Sequence, residues 1–184
     1  MKRIIFFVIT VVLLFSTVTT ADLSAPSDLN PGGTFRWIFQ TSLTTQATNS
    51  NTAYYDNFVN NAADNATAPN VHNVMGITKV GQIAWQAIVS TVNDGSARTH
   101  IGAFTSPVYN TNQQLVATGD TGLFSGSLNA YVWFDESGQS TVPNTYTWTG
   151  TNSDGSTYYF PWGSAALGRM NAVYGRSDHL DGAR

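Results

Sequence analysis

Acidic side chains are the first candidates for chemistry in this chain, because glycoside hydrolysis normally requires two carboxyl groups held a few ångströms apart. Glu136 is the single glutamate, and it follows Asp135 in the segment Asp-Glu-Ser-Gly, which is typical of a turn. Carboxylates in such turns usually cap backbone groups and stay in contact with water. We therefore interpret both side chains as solvated turn residues and assign no catalytic residue.

Histidine, cysteine and serine patterns also give no catalytic or metal-binding group. His72, His100 and His179 lie far apart and lack the H-x-x-x-H spacing of a helical zinc site. The chain contains no cysteine, and no serine lies in the G-x-S-x-G motif of one hydrolase class. We predict no metal site and no cofactor. An alternative is weak calcium binding by Asp135, Glu136 or Asp154 together with loop carbonyl groups.

Aromatic side chains are the remaining candidates for ligand binding, because such rings bury a large area while a polar atom stays in water. Trp162 lies in the loop-forming segment Phe-Pro-Trp-Gly, shortly after Tyr158 and Tyr159. We predict Trp162, Tyr158 and Tyr159 as ligand-binding residues. Trp85 and Trp148 are instead predicted to lie in the core, because their neighbours alternate as they do in buried strands.

The first 21 residues are typical of a secretory signal peptide. Lys2 and Arg3 precede an apolar stretch at 4–15, and small residues at 19–21 suit cleavage near Ala21. The apolar stretch is shorter than the roughly 20 residues that span a bilayer. We predict a secreted or cell-surface protein without a transmembrane helix in the mature chain; the alternative is an uncleaved membrane anchor.

Composition then limits the partners of the mature protein. Cleavage after Ala21 leaves 163 residues, which is enough for one domain with a sizeable core. It also removes Lys2 and Arg3, so the formal net charge of −3 becomes −5. An acidic chain with scattered basic residues lacks the positive surface that nucleic acids and anionic membranes require. We predict no nucleic-acid partner and leave the oligomeric state open.

A lead-in, a helix and several strands are predicted along the mature chain. Residues 22–33 are rich in Pro and Gly and are predicted to be extended, and 34–184 form the domain. Residues 53–66 have an apolar stripe at helical spacing, built on Tyr54, Phe58 and Ala62. Thr52 is predicted as the N-cap of that helix, with Asp56 in its first turn.

Strand predictions rest on β-prone runs bounded by turn residues. We expect strands at 35–42 and 81–91, a hairpin with arms at 108–109 and 115–117, a strand within 123–134, and strands at 145–149 and 157–160. Turns are expected at 93–95, 111–113, 135–138 and 152–155, and a short helical turn at 96–101. Residues 167–184 give no element. Arg98 and Arg169 are predicted to anchor loops by pairing with carboxylates.

Taken in order, several segments resemble the C-type-lectin-like, endostatin-like domains of exported bacterial proteins. The matching positions are Trp85, 87–91, Arg98, 107–110, 115–119, 123–126, 135–138, 148–151 and 168–175. The resemblance covers residues 34–182 and lies in the order of segments more than in one motif. It implies an α+β fold, C-type-lectin-like, with small antiparallel sheets, one or two helices and long irregular loops.

The chain departs from that family in three ways. It has no cysteines to cross-link the fold, and Val142-Pro143-Asn144 lacks the carboxylate of the family's calcium and sugar triplet. The strand that usually returns beside the first strand is not recognised before Arg184. We therefore expect either a truncated sequence or an open sheet edge beside residues 35–42.

These patterns favour a non-catalytic exported domain with a recognition or structural role at the cell surface or in the extracellular matrix. Its partner would be a glycan or an extracellular protein. A calcium-independent carbohydrate-binding module is the alternative hypothesis. A secreted hydrolase is the least favoured, because it would require two carboxylates, or a His and a Ser, in one pocket.

Overall fold

Two apolar runs separated by Thr111-Asn112-Gln113 form the predicted hairpin of the chain. In the computed structural model the arms are Pro107–Asn110 and Leu115–Thr118, and Gln113 turns the chain with a left-handed φ of +63°. The structure describes residues 25–66, 73–74, 77–78, 83–141, 146–160, 163–169 and 174–176. These ranges form a mixed α+β fold with a small three-stranded sheet.

The elements of the described ranges follow one another in this order: β1 (Arg36–Ile38), α1 (Thr52–Asn65), β2 (Asn73–Val74), β3 (Ile77–Thr78), α2 (Ala97–Ile101), β4 (Pro107–Asn110), β5 (Leu115–Thr118), α3 (Gly119–Leu123), β6 (Tyr146–Trp148), β7 (Tyr159–Phe160), β8 (Gly163–Ser164) and β9 (Tyr174–Arg176). None of the helices in these ranges has both the length and the apolar character needed to cross a bilayer.

The largest sheet of the described ranges is mixed. This corrects the expectation of purely antiparallel sheets, which the family resemblance implied. β4 lies in the centre, with β5 antiparallel on one side and β1 parallel on the other. A parallel pair requires a long crossover, and the connection from β1 to β4 contains both α1 and α2. β2 with β3, β6 with β9, and β7 with β8 form separate two-stranded antiparallel sheets.

The prediction of a helix at 53–66 is confirmed, but its N-cap was assigned one residue too late. Asn51 is the N-cap, and Thr52 is the first helical residue. The backbone N–H and the hydroxyl of Thr52 donate to Asp94 Oδ2 at 2.6 and 3.0 Å. A carboxylate from the distant 93–95 turn therefore satisfies the helix start, and Asp56 lies beyond the first turn.

The buried face of α1 is also rotated relative to the predicted stripe. Tyr55, Ala62 and Ala63 are buried, whereas Tyr54 is 43% exposed. Tyr55 packs against Leu167 and its neighbours, and its hydroxyl donates to a backbone carbonyl at 3.0 Å. Tyr55 therefore occupies the core position predicted for Tyr54, and its hydroxyl keeps a polar partner there.

The predicted strand at 81–91 is not formed in its described part, residues 83–91, apart from isolated bridges at Thr91. Helix side chains replace a partner strand, since Asn60 Oδ1 accepts from Trp85 N and Asp56 Oδ1 accepts from Ala87 N. The backbone N–H groups of Trp85 and Ala87 are thus hydrogen-bonded without a neighbouring β-strand. Ala87 and Val89 are buried as expected, but Ala84 is exposed.

The segment 124–134 covers the sheet instead of adding a strand to it, so the strand predicted within 123–134 is wrong. Three of its apolar residues pack against the cluster of Val108 and Val116: Leu128, Ala130 and Val132. Asn129 N donates to Val116 O at 2.9 Å and ties the segment to β5. Only Phe134 enters a β-bridge, with Ser140.

Elements near the C-terminus arise from pairing over long sequence distances. Although residues 167–184 gave no prediction, β9 lies within them and pairs with β6. Leu167 is 1% exposed and forms a bridge with Thr91. β1 pairs with β4 on one side, and no strand of the described ranges pairs with its other side. The predicted turns and the helical turn at 96–101 are confirmed.

Candidate functional site

Several acidic side chains of the described ranges accept hydrogen bonds that stabilise turns and loops. Asp135 Oδ1 accepts from the N–H groups of Ser137 and Gln139 at 2.9 and 2.8 Å, as expected of a turn residue. Glu136 differs from the prediction of a solvated side chain, because it is 3% exposed. Its carboxylate accepts from the N–H and the hydroxyl of Ser42. Glu136 therefore fixes the loop after β1, a role that local turn chemistry does not reveal.

Three aspartates have a lowered pKa because protein groups donate to their carboxylates. The pKa of Asp94 falls below its usual value mainly through the Thr52 N–H, helped by the Thr52 hydroxyl. The hydroxyl and N–H of Ser156 lower the pKa of Asp154. Burial opposes the shift at Asp120, but donors including Arg98 outweigh it and lower that pKa too.

Acidification should therefore destabilise the protein through Asp94. A carboxyl whose folded pKa is lowered stabilises the fold above its unfolded pKa, near 3.8, and that contribution disappears as the pH falls through the folded pKa. Asp94→Asn lacks the titrating group but keeps an acceptor for Thr52. The difference in unfolding free energy between wild type and Asp94→Asn, from urea titrations, should shrink as the pH falls below about 4. A difference that is constant with pH would contradict this assignment.

Of the three histidines, His100 lies within the described residues, and His72 and His179 lie outside them. His100 Nε2 is 3.0 Å from Asp56 Oδ1, and the pair joins α2 to α1. Within the described ranges no three His, Asp or Glu side chains come together as metal ligands.

Two of the predicted ligand-binding residues, Tyr158 and Tyr159, lie in residues 146–160, which we call the aromatic hairpin. Its two sides are joined near the turn by the Thr151–Thr157 bridge, whereas β6 and β7 at its ends pair with β9 and β8. Tyr159 is 68% exposed and Tyr158 is half-buried, whereas Trp162 lies outside the described residues. Trp148 is 45% exposed, so its predicted place in the core is wrong. Alternation in sequence showed which residues share a face of β6, but not which face the rest of the fold covers.

The base of the aromatic hairpin is firmly attached to the fold. Thr151 and Thr157 form an antiparallel bridge, and Tyr158 N donates to Gly150 O at 3.1 Å. Ser90 N donates to Thr149 O at 2.8 Å, and Ser90 Oγ contacts Thr151 Oγ1 at 2.9 Å in the interior. The exposed rings therefore extend from a backbone that is already ordered.

Other aromatic residues pack in the core or beside it. Trp85 contacts Phe39 with ring centroids 4.9 Å apart and packs on Ala63, which agrees with its predicted core role. Trp133 is half-buried and lies 4.6 Å from the ring of Tyr131. Among the described residues after 146, Tyr159 and Trp148 therefore have the most exposed large aromatic side chains.

A polar depression beside the hairpin turn was not predicted as a site. We call it the Arg98 groove; it has a volume of about 380 Å³, and its polar lining is Ser96, Arg98, Thr99, Asp120, Asp154 and Ser156. Arg98 Nη2 donates to Asp120 Oδ2 at 3.2 Å, which confirms Arg98 as a loop anchor. Its side chain is nevertheless 43% exposed, and Arg169 is exposed as well.

Sequence reasoning missed the groove because its polar residues come from three segments that are far apart in the sequence. Ser96, Arg98 and Thr99 lie at α2, Asp120 lies in α3, and Asp154 and Ser156 lie in the hairpin turn. A backbone hydrogen bond from Arg98 N to Gly155 O, 3.0 Å long, joins α2 to the hairpin turn. Comparison of the chain with protein-family models, with curated proteins and with solved structures gave no match.

Proposed function

We propose that this chain is an exported, non-catalytic recognition domain with a C-type-lectin-like fold that acts at the cell surface or in the extracellular matrix. The signal-peptide pattern at 1–21 supports export, and the order of segments supports the fold. A long helix, small sheets and long loops are compatible with that architecture. The described carboxylates that bind backbone N–H groups serve the fold, which favours binding over acid–base chemistry.

The single observation that carries the proposal is the exposure of two large aromatic side chains at the two ends of one well-anchored turn. Tyr159 and Trp148 are 68% and 45% exposed. Tyr and Trp contribute strongly to interfaces, because they bury a large area and lose little conformational entropy on binding. Attachment of the hairpin base through Gly150 and Thr151 orders the backbone before a partner arrives.

The experiment measures binding of the secreted protein to its natural surroundings. The full chain is expressed, and the product is purified from the medium; mass spectrometry should give Asp22 as its first residue. Wild type should sediment with cell envelopes or secreted matrix of the producing organism. Tyr159→Ala and Trp148→Ala should each weaken that binding by about tenfold or more, as expected for interface hot spots.

Tyr54→Ala is the matched control for this measurement. Tyr54 is 43% exposed, similar to Trp148, but it lies on α1 rather than on the aromatic hairpin. Its replacement should leave the sedimentation unchanged. Equal binding by wild type and both hairpin variants would refute the assigned surface, and failure of wild type to bind any fraction would refute the recognition function.

A calcium-independent carbohydrate-binding module is the second candidate, favoured by the polar Arg98 groove that adjoins the hairpin turn. The exposed indole of Trp148 provides a reporter. Under this hypothesis a bound oligosaccharide should change the tryptophan fluorescence in the presence of EDTA. No response to a glycan panel at millimolar sugar would eliminate it.

A further inference from the structure

We infer that Asn65 is an acceptor site for N-linked glycosylation, the covalent attachment of an oligosaccharide to its side-chain amide. The segment Asn65-Ala66-Thr67 has the acceptor pattern, an asparagine followed two residues later by a threonine with no proline between them. No other asparagine of the chain has this pattern. The inference rests on the export that the proposed function includes, because such transfer takes place outside the cytoplasm.

The end of α1 presents the side chain of Asn65 to solvent. Asn65 is the last helical residue and is exposed, whereas Ala62 and Ala63 in the same turn of the helix are buried. Its Nδ2 donates to Asn61 O at 2.8 Å, a hydrogen bond within the helix itself. An enzyme can therefore take hold of the acceptor nitrogen without opening the core of the fold.

The backbone leaves the helical conformation directly after the acceptor. Ala66 has a φ of −64° and a ψ of +139°, which are extended values, and its N–H donates to Ala63 O at 3.4 Å. A transferase must hold the asparagine amide and the threonine hydroxyl in one site, but residues two positions apart on a helix do not face each other. Because α1 ends at Asn65, the helix does not impose this separation; Thr67 itself lies outside the described residues.

The transfer needs one co-reactant, an oligosaccharide joined through pyrophosphate to a polyprenyl lipid. Nδ2 of Asn65 forms a bond with C1 of the first sugar, and the bond between that carbon and the pyrophosphate oxygen breaks. Polyprenyl pyrophosphate leaves with the bonding electron pair, and the amide loses one proton. A membrane-bound transferase supplies the catalysis, so this chain contributes only the acceptor.

The attached oligosaccharide lies away from the aromatic hairpin. α1 and the segment 85–94 run in opposite directions, because the C-terminal half of the helix binds Trp85 and its start binds Asp94. Ser90, which anchors the hairpin, lies between these two contacts. Asn65 is at the far end of the helix, about 20 Å along its axis from the start. An oligosaccharide at this position should therefore cover the end of α1 and leave the hairpin accessible.

Intact-mass spectrometry of the product that the producing organism secretes from the full chain tests the site. Wild type should be heavier than the polypeptide 22–184 by the mass of an oligosaccharide. Peptide-N-glycosidase should remove the added mass and convert Asn65 to an aspartate, which peptide sequencing locates. Sedimentation of wild type with cell envelopes should be the same before and after this enzyme treatment, because the oligosaccharide does not cover the hairpin.

Four variants identify the acceptor. Asn65→Gln and Thr67→Val should each abolish the added mass, the first by removing the acceptor and the second by removing the hydroxyl. Thr67→Ser keeps a hydroxyl and should remain modified. Asn61→Gln is the matched control, because Asn61 is an exposed asparagine of the same helix that is followed two residues later by Ala63. Near-ultraviolet dichroism establishes that each variant is folded; if Asn65→Gln is not, the two Thr67 variants decide.

The outcomes separate this inference from the proposed function. Added mass that disappears in Asn65→Gln and Thr67→Val, but persists in Thr67→Ser and Asn61→Gln, supports the site. A secreted wild type with the mass of the bare polypeptide refutes it, as does added mass that persists in Asn65→Gln; either result leaves the recognition function intact if wild type still sediments with envelopes. Sedimentation that changes after the glycosidase refutes the position away from the hairpin. Absence of the product from the medium removes export, and with it both proposals.

Discussion

Gly150→Ala should destabilise the protein by about 3 kcal/mol, the combined effect of a left-handed backbone and of a steric clash. Gly150 has a φ of +64°, which only glycine adopts without strain. A Cβ at this position would lie 2.8 Å from Ser90 O and 2.9 Å from both Ala166 Cα and Leu167 N. All three atoms belong to the backbone, so no side chain can rotate away.

The matched control is Gly95→Ala, measured by the same chemical denaturation. Gly95 has a φ of +84°, but a Cβ there meets no atom within 4 Å. Its replacement should cost only the backbone strain, about 1–2 kcal/mol. Equal destabilisation by the two variants would show that the close approach at Gly150 contributes nothing. Because Gly150 also forms the base of the aromatic hairpin, Gly150→Ala should reduce envelope binding as well.

Leu167→Ala should destabilise the fold by about 2–5 kcal/mol, the range for a buried leucine that leaves a cavity. Leu167 is 1% exposed and packs against Tyr55, Ala87 and Val89. Its backbone is fixed at the same time, since Leu167 N donates to Ser90 O at 2.8 Å and Leu167 O accepts from Val92 N at 3.2 Å. Backbone hydrogen bonds on both sides limit collapse around the cavity, which places the expected loss in the upper part of that range.

Leu43→Ala removes the same atoms from a side chain that is 52% exposed. Exposed substitutions usually change the unfolding free energy by at most about 0.5 kcal/mol. Thermal unfolding followed by far-ultraviolet dichroism should therefore distinguish the two leucine variants clearly. Similar midpoints for both would mean that the residues around Leu167 do not form the main core between α1 and the C-terminal segments.

Elements stabilised by neighbouring residues could be predicted from the sequence. The helix at Thr52–Asn65 follows from its periodic apolar positions, and the β4–β5 hairpin follows from two apolar runs around a polar turn. The turns at 93–95 and 152–155 depend on Asx and Gly chemistry within four residues. Arg98 was correctly predicted to anchor a loop, although its carboxylate partner could not be identified.

Elements stabilised by distant residues could not be predicted. The run at 83–91 has strand-like composition, yet Asn60 and Asp56 of α1 satisfy its N–H groups, so no ladder is required. β9 exists because β6 pairs with it across more than twenty residues. Glu136 is buried because Ser42 lies opposite it, and nothing near Glu136 in the sequence indicates that partner.

The sequence by itself determined the acidic charge, the absence of disulfides, one long helix, one hairpin and most turns, and it predicts a signal peptide. Each depends on composition or on contacts between near neighbours. Tertiary structure alone decided which aromatic faces are covered and which segments meet at Arg98. It left Trp148 exposed, although strand alternation predicted it in the core, and it formed a groove from α2, α3 and the hairpin turn. The physical reason is that burial and convergence depend on what the rest of the chain places opposite a residue, and local pattern does not contain that information.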